Sequence, residues 1–225
     1  MSDVRAVLFD IDGTLIDSNH LHVLAWKRAF HEHGHDIDEG AIHAQIGKGG
    51  DNLVPALIPD IDEEAQAAME ARHGDIFRKE YLDQAQPFRN AAALLRRVHK
   101  GGRQVVLASS AKRAELDHYV GLLGVEPILT ATTSADDVDR SKPAPDIFAA
   151  ALAKIGMEAS GAIVVGDTIW DIEAAKRTGL RAIGLLSGGV APRDLERAGA
   201  IALYEDVARL LAFYDLSPLA ETGAG

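Results

Sequence analysis

The chain has 225 residues, 47% of them hydrophobic and none of them cysteine, and its formal charge is −11 at pH 7. That length suffices for one large α/β domain or a core with a smaller companion, and the acidic balance argues against nucleic acid or an anionic membrane as the main partner. The missing thiols exclude disulfides, thiolate metal sites and cysteine nucleophiles; no apolar run approaches the ~20 residues that span a bilayer and the start lacks a signal-like core, so a soluble, cytoplasmic protein is expected.

The first element is the most informative. Val4 and Ala6 to Phe9 form a near-continuous apolar run rich in β-formers, the pattern of a strand buried on both faces of a parallel sheet. It ends in Asp10 and Asp12, with Gly13 next to turn the chain away. Ionised carboxylates are costly to desolvate and repel each other. Two of them at the carboxyl end of a buried strand, where open α/β sheets bind ligands, therefore point to function. A calcium loop of the EF-hand kind fails, because its fifth, sixth and twelfth places hold Thr14, Leu15 and Leu21. A plain strand-ending turn is the alternative that this stretch alone leaves open.

From 16 to 86 the spacing predicts helices and no convincing strand. Leu21, Leu24, Ala25, Trp26, Ala29 and Phe30 recur at helical intervals up to Gly34. Asp38 can cap a short helix ending near Gly47, and Asp60 or Asp62 a long one carrying Ala65, Met69, Ile76 and Tyr81. Between them, 47–50 reads as a flexible loop with one cation, Lys48.

Beyond Pro87 helix and strand alternate. Helices are predicted over 90–100, 111–123, 145–155 and 171–178, strands over 104–108, 127–130, 162–165 and 181–186, and shorter elements follow through Ile201 and 207–213. Such alternation implies a Rossmann-like, doubly wound parallel sheet. Residues 1–16 and 87–214 then form an α/β core, 17–86 an inserted all-helical cap that can cover Asp10 and Asp12, and 215–225 a fraying tail. Segments near 16–18 and 85–88 would be the hinges.

The other strand ends complete a constellation. Ser109 and Ser110 follow one strand and can hold an anion with the next helix's amides, although Ser is also a common N-cap. Lys142 precedes a helix between stiffening prolines, and taken alone could equally be a solvated loop lysine. Asp167 ends a buried strand, and Asp171 stands in the following helix, where the dipole alone could explain it. Two like charges 4 Å apart repel by about 4 kcal/mol at an effective dielectric near 20, so this many acids require a cation. With no Cys and no necessary His, the oxygen ligands indicate a hard ion, Mg²⁺, and the whole set suits a phosphoryl group.

Phe9-Asp10-Ile11-Asp12-Gly13-Thr14-Leu15, Ser109, Lys142 and Gly166-Asp167 with Asp171 resemble, in order, the four motifs of the haloacid dehalogenase-like hydrolase superfamily. The helical insertion, Asp17-Ser18 and the stretch around Ser141-Lys142-Pro143 resemble its phosphoglycolate phosphatase and β-phosphoglucomutase branch. The resemblance implies a phosphoric monoester hydrolase acting on a small phosphorylated metabolite. In it Asp10 is the nucleophile, Asp12 the general acid/base, and Ser109, Ser110 and Lys142 contact phosphate. Mg²⁺ is held by Asp10, the Asp12 carbonyl and Asp167, with Asp171 outside. His20, His22, Lys48 and Asn52 are candidate substrate contacts from the cap.

The rival phosphomutase reading meets Gly47-Lys48-Gly49-Gly50 where the mutase cap carries a phosphate clamp. Dehalogenation does not need Asp12 or a metal, a phosphonatase would use a cap lysine such as Lys48, and a phospho-acceptor module leaves the helical insertion unexplained. His31, His33 and His35 alternate, so they do not share a helix face and read as surface residues, while Trp26 and Trp170 read as packing.

Overall fold

In the computed structural model, which describes residues 3–221, the apolar opening run is β1 (Ala6–Phe9), buried on both faces. A two-residue strand β2 (Ile16–Asp17) follows, then α1 (Asn19–Glu32), α2 (Glu39–His43), α3 (Gly50–Leu57) and α4 (Glu63–Ile76). The chain returns through β3 (Gln86–Pro87) and then alternates. In order come α5 (Ala91–Lys100), β4 (Gln104–Ala108), α6 (Arg113–Leu123), β5 (Leu129–Thr133), α7 (Asp146–Ile155) and β6 (Ala162–Gly166). The series closes with α8 (Ile169–Arg177), β7 (Arg181–Leu185), α9 (Pro192–Ala198), β8 (Ala202–Tyr204) and α10 (Val207–Ala212).

Six strands form one parallel sheet in the order β5-β4-β1-β6-β7-β8. Successive strand residues face opposite layers. Val7, Phe9, Val105, Leu107, Ile163 and Val165 pack with Leu94, Leu116 and Leu210 of α5, α6 and α10. Ala6, Leu8, Val106 and Val164 pack on the other side with Phe148 of α7 and Ile172 of α8. The expected doubly wound α/β fold is thus observed, and the chain reverses direction across the sheet around β1. Strand ends of β1, β4 and β6 lie side by side at that switch point, where such sheets open a crevice.

The helices after β1 carry a smaller apolar cluster of their own, with Val23, Trp26, Phe30, Ile42, Leu53, Val54 and Met69. The opposite side of α1 puts Leu21, Ala25 and Ala29 into the main core, together with Ile76 and Phe77 at the end of α4. Asp38 caps α2 by accepting from Gly40 N at 2.8 Å, and Asp62, rather than Asp60, caps α4 through Ala65 N at 2.8 Å.

Several expectations are corrected. The segment from 16 to 86 does contain strand: Ile16 and Asp17 pair antiparallel with Pro87 and Gln86, tying the insertion's two ends together. Glycines 49 and 50 do not lie in a free loop but open α3, where Asp51 and Asn52 are fixed on the core. The strand expected over 127–130 is displaced, because Pro127 favours a 3₁₀ turn and leaves β5 to start at Leu129. The tail up to 221 is packed rather than frayed: Leu219 is buried, and the Glu221 carboxylate meets Arg181 at 2.7 Å. There, apolar burial outweighs the Ser and Pro content; 222–225 lie outside the described residues. No described helix is long and apolar enough to cross a membrane.

Candidate active site

Asp10 leaves β1 with its backbone N–H still bonded to Val165 O at 2.9 Å, so the adjacent strand β6 fixes its position. Lys142, 1% exposed, reaches over from the segment before α7; its Nζ pairs with Asp10 Oδ1 and lies 2.7 Å from Asp171 Oδ1. The other Asp171 oxygen accepts from Thr168 N at 3.0 Å and Thr168 Oγ1 at 2.7 Å, a capping box that starts α8. Asp167 at the end of β6 accepts from Thr14 Oγ1 at 2.8 Å and Asn19 Nδ2 at 2.9 Å. Glycines close in on it from both sides: a Cβ on Gly13, which has φ +73, would fall 2.2 Å from Asp167 Oδ2, and one on Gly188 would fall 2.0 Å from it.

Oxygens of Asp10, Asp167 and Asp171 lie within 4.8 Å of one another, and all three residues are buried. Burial above all pushes Asp10 up to about 7, against the pull of Lys142. Burial, then Asp171 and Asp10, hold Asp167 well above the carboxylate range. Burial works to neutralise Lys142, but Asp10 and Asp171 keep its pKa above the ordinary lysine value. Three carboxylates against one lysine leave an excess of negative charge in a dry place. This all-oxygen set therefore fits a divalent cation, which would lower the carboxylate pKa values and let all three ionise.

A second cluster faces the helical insertion. Asp12 Oδ1 accepts from Ser18 Oγ at 2.6 Å and lies 3.2 Å from His22 Nε2, which in turn lies 3.5 Å from Glu115 Oε1. Burial opposes ionisation of Asp12, yet the bonds from His22 and Ser18 hold its pKa below the usual value. Burial likewise opposes protonation of His22, but Asp12 and Glu115 raise its pKa. His73 Nε2 stands 3.4 Å from His22 Nδ1; burial and then His22 keep His73 neutral, so it can accept from a His22 imidazolium. His22 stacks on Phe77 at 3.8 Å and His73 on Trp26 at 4.0 Å, which fixes both rings.

The two clusters meet at a cavity of about 490 Å³ lined by Asp10, Asp12 and Ser110 from the core and by His22, Lys48 and His73 from the insertion. Ser109 is buried beneath it, its Oγ accepting from Ala111 N at 3.0 Å. The candidate residues of the insertion separate here. His22 and Lys48 line the cavity. Lys48 donates to Gln45 at 2.7 Å and lies 3.9 Å over the Trp170 ring, giving Trp170 more than a packing role. Asn52 points instead at the chain carrying Lys142, donating to Ser141 Oγ at 3.0 Å and Lys142 O at 3.3 Å, beside an Asp51 bonded to Ser141. His20 turns outward to Asp17 at 3.5 Å, so its expected contact with substrate is set aside.

Thr14, Asn19, Asp51, His73 and Glu115 are the residues that sequence reasoning missed. Thr14 and Asn19 stand within or just beyond the first motif and carried a signal of proximity; the other three carried none.

The chain belongs to the haloacid dehalogenase-like hydrolases, whose family model matches residues 7–185. It is 30% identical over 187 residues to the validoxylamine A 7′-phosphate phosphatase of Streptomyces hygroscopicus subsp. limoneus, covering 80% of this chain and 85% of that one. A phosphoglycolate phosphatase of Yersinia pestis is 30% identical over 190 residues, covering 82% of each chain. Among solved structures, a hydrolase from Pseudomonas syringae superposes with a TM-score of 0.87 at 33% identity, covering 94% of this chain and 98% of that one. The chain is a phosphatase of this family, a phosphoric monoester hydrolase.

Proposed function

We propose that the chain is a Mg²⁺-dependent cytoplasmic phosphatase that hydrolyses a small phosphomonoester, phosphoglycolate-like or a sugar phosphate, through an aspartyl-phosphate on Asp10. The observation that carries this reading is the buried lysine shared by Asp10 and Asp171 next to Asp167, with Asp10 and Asp12 both on the cavity. Lys142 holds the Asp10 carboxylate in one orientation and offers positive charge to the phosphoryl oxygens. Asp10 attacks phosphorus as Asp12 gives its proton to the leaving alcohol oxygen; Asp12 then takes a proton from the water that cleaves the acyl phosphate. Asp12 is ionised at rest, and His22 Nε2, 3.2 Å away, can supply the proton it gives in the first step; the proton taken from water in the second step then restores the pair. Mg²⁺ on Asp10, the Asp12 carbonyl and Asp167, with Asp171 outside, would supply the remaining charge neutralisation of the phosphate. Residues 17–86 serve in this reading as a cap that excludes water from the acyl phosphate, and Ser109 and Ser110 serve as the anion-binding turn.

The test is release of inorganic phosphate from p-nitrophenyl phosphate with and without Mg²⁺, by the natural chain and by Asp10→Asn. Expected are Mg²⁺-dependent release by the former and none by a folded variant. Near-normal turnover by Asp10→Asn would remove the nucleophile from this scheme.

A further inference from the structure

Next to Asp12, where a leaving group must begin, the cavity wall is acidic and short of hydrogen-bond partners. Glu115, His118 and Tyr119 project from α6 at helical intervals, and Glu115 and His118 line the cavity. Glu115 offers a carboxylate oxygen within 4.8 Å of both Asp12 and His22. Both Glu115 Oε1 and His118 Nε2 are shielded from solvent; the first has only the 3.5 Å ion-pair contact with His22 Nε2, and the second has no hydrogen-bond partner among the described residues. Buried polar atoms of this kind carry a cost that a bound ligand can remove. One is an acceptor and the other an imidazole nitrogen, a pair suited to the donating and accepting sides of hydroxyl groups.

We propose, on the basis of the phosphatase reading above, that the natural leaving group is an uncharged polyol, a sugar or cyclitol, and that Glu115 is the residue that selects it over an alcohol bearing a carboxylate. The leaving oxygen has to lie about 3 Å from the Asp12 carboxyl to receive its proton. In a two-carbon substrate such as phosphoglycolate the carboxylate follows two bonds later, and it must lie close to Asp12 and Glu115. Like charges about 5 Å apart at an effective dielectric near 20 disfavour that complex by a factor on the order of a hundred. His22 is already shared between the two acids. Of the other cations lining the cavity, Arg78 is paired with Asp75, Lys112 is exposed, and Lys48 is held by the neutral Gln45 amide and over the Trp170 ring. Burial pushes Glu115 up to about 7, so its charge is present at the mildly alkaline pH chosen for the assay. The volume of about 490 Å³ also exceeds what a two-carbon leaving group fills and falls within the range of sites for larger ligands.

The experiment compares kcat/KM at pH 8 for 2-hydroxyethyl phosphate, 2-phosphoglycolate and fructose 1-phosphate, in the natural chain and in Glu115→Gln, with thermal unfolding to confirm that the variant is folded. The first two esters differ only in a hydroxymethyl group against a carboxylate. The natural chain is expected to prefer 2-hydroxyethyl phosphate over 2-phosphoglycolate by at least about tenfold, with fructose 1-phosphate better still, and Glu115→Gln to narrow the first ratio by about tenfold or more. A natural chain that prefers 2-phosphoglycolate, or a ratio that Glu115→Gln leaves unchanged, overturns the selection by Glu115 and leaves the phosphatase reading standing. Absence of phosphate release from every ester, p-nitrophenyl phosphate included, overturns both.

Discussion

The Asp10 and Asp12 carboxylates are two residues apart in the chain, yet they live in different surroundings. Asp10 shares a dry cluster with Asp167, Asp171 and Lys142, whose charged groups all come from the core and are braced by Asn19 and Asn52 of the insertion. Asp12 faces outward to a cluster half made by the insertion, where His22 and His73 of α1 and α4 meet Glu115 of α6. The first cluster concentrates charge that Lys142 only partly offsets, and it is a matter of stability as well as chemistry. The second handles protons and substrate, and its members titrate in directions set by one another. One turn of chain after a strand thus suffices to give nucleophile and acid/base different partners, although both line the same cavity.

Variants can break this contrast, beginning with the core cluster. Lys142→Met removes the cation that Asp10 and Asp171 share and should cost about 3–5 kcal/mol of stability without metal, read by urea unfolding, while also abolishing phosphate release. If stability is unchanged, the cluster is not held by charge. Next, His22→Gln keeps a donor near Asp12 but cannot become an imidazolium; kcat is expected to fall by roughly ten- to a hundredfold with a smaller change in KM, measured by steady-state phosphate release. An equal rise in KM instead would make His22 a substrate contact. Asn52→Ala deletes the amide that ties the insertion to Ser141 and Lys142 and should lower stability by about 1–3 kcal/mol, seen in the unfolding midpoint, with kcat reduced through a looser Lys142.

The smallest effect lies at a control position away from both clusters. Burial opposes it, but hydrogen bonds from Lys154 and Ser134 hold Asp137 at about 2, below the ordinary 3.8. A carboxylate depressed in this way stabilises the fold above its unfolded pKa and loses that contribution as pH falls toward about 2. Lys154→Ala should therefore cost about 0.2–1 kcal/mol at pH 7, and the difference from the natural chain should shrink between pH 4 and 2 in acid unfolding curves.

The same contrast explains what could be read from the sequence. Asp10, Ser109 and Asp167 each follow an uninterrupted apolar strand, and parallel strands at a switch point have to end side by side, so spacing alone brought these residues together. Lys142 joined them through the motif it resembles. The Asp12 cluster depends on how α1, α4 and α6 pack, which no periodicity reveals. His20 and His22 were equal candidates because they share a helix, but residues two apart point to different sides, and only His22 faces the cavity. Asn52 carries an amide that suits a ligand as well as a backbone carbonyl, so only the docking of α3 on Ser141 distinguishes the two. Strands β2 and β3, at two residues each, are too short to show alternation.

Gly13 and Gly188 pinch Asp167 from two distant parts of the chain, and neither position has room for even a methyl group. Bare backbone at these two places is therefore as much a signature of a working copy as the acids themselves. A gene in which either codon drifts to alanine would still spell out every acidic residue and yet encode a protein whose Asp167 has been shouldered out of line, which offers a simple way to sort active from decayed members when genomes are read.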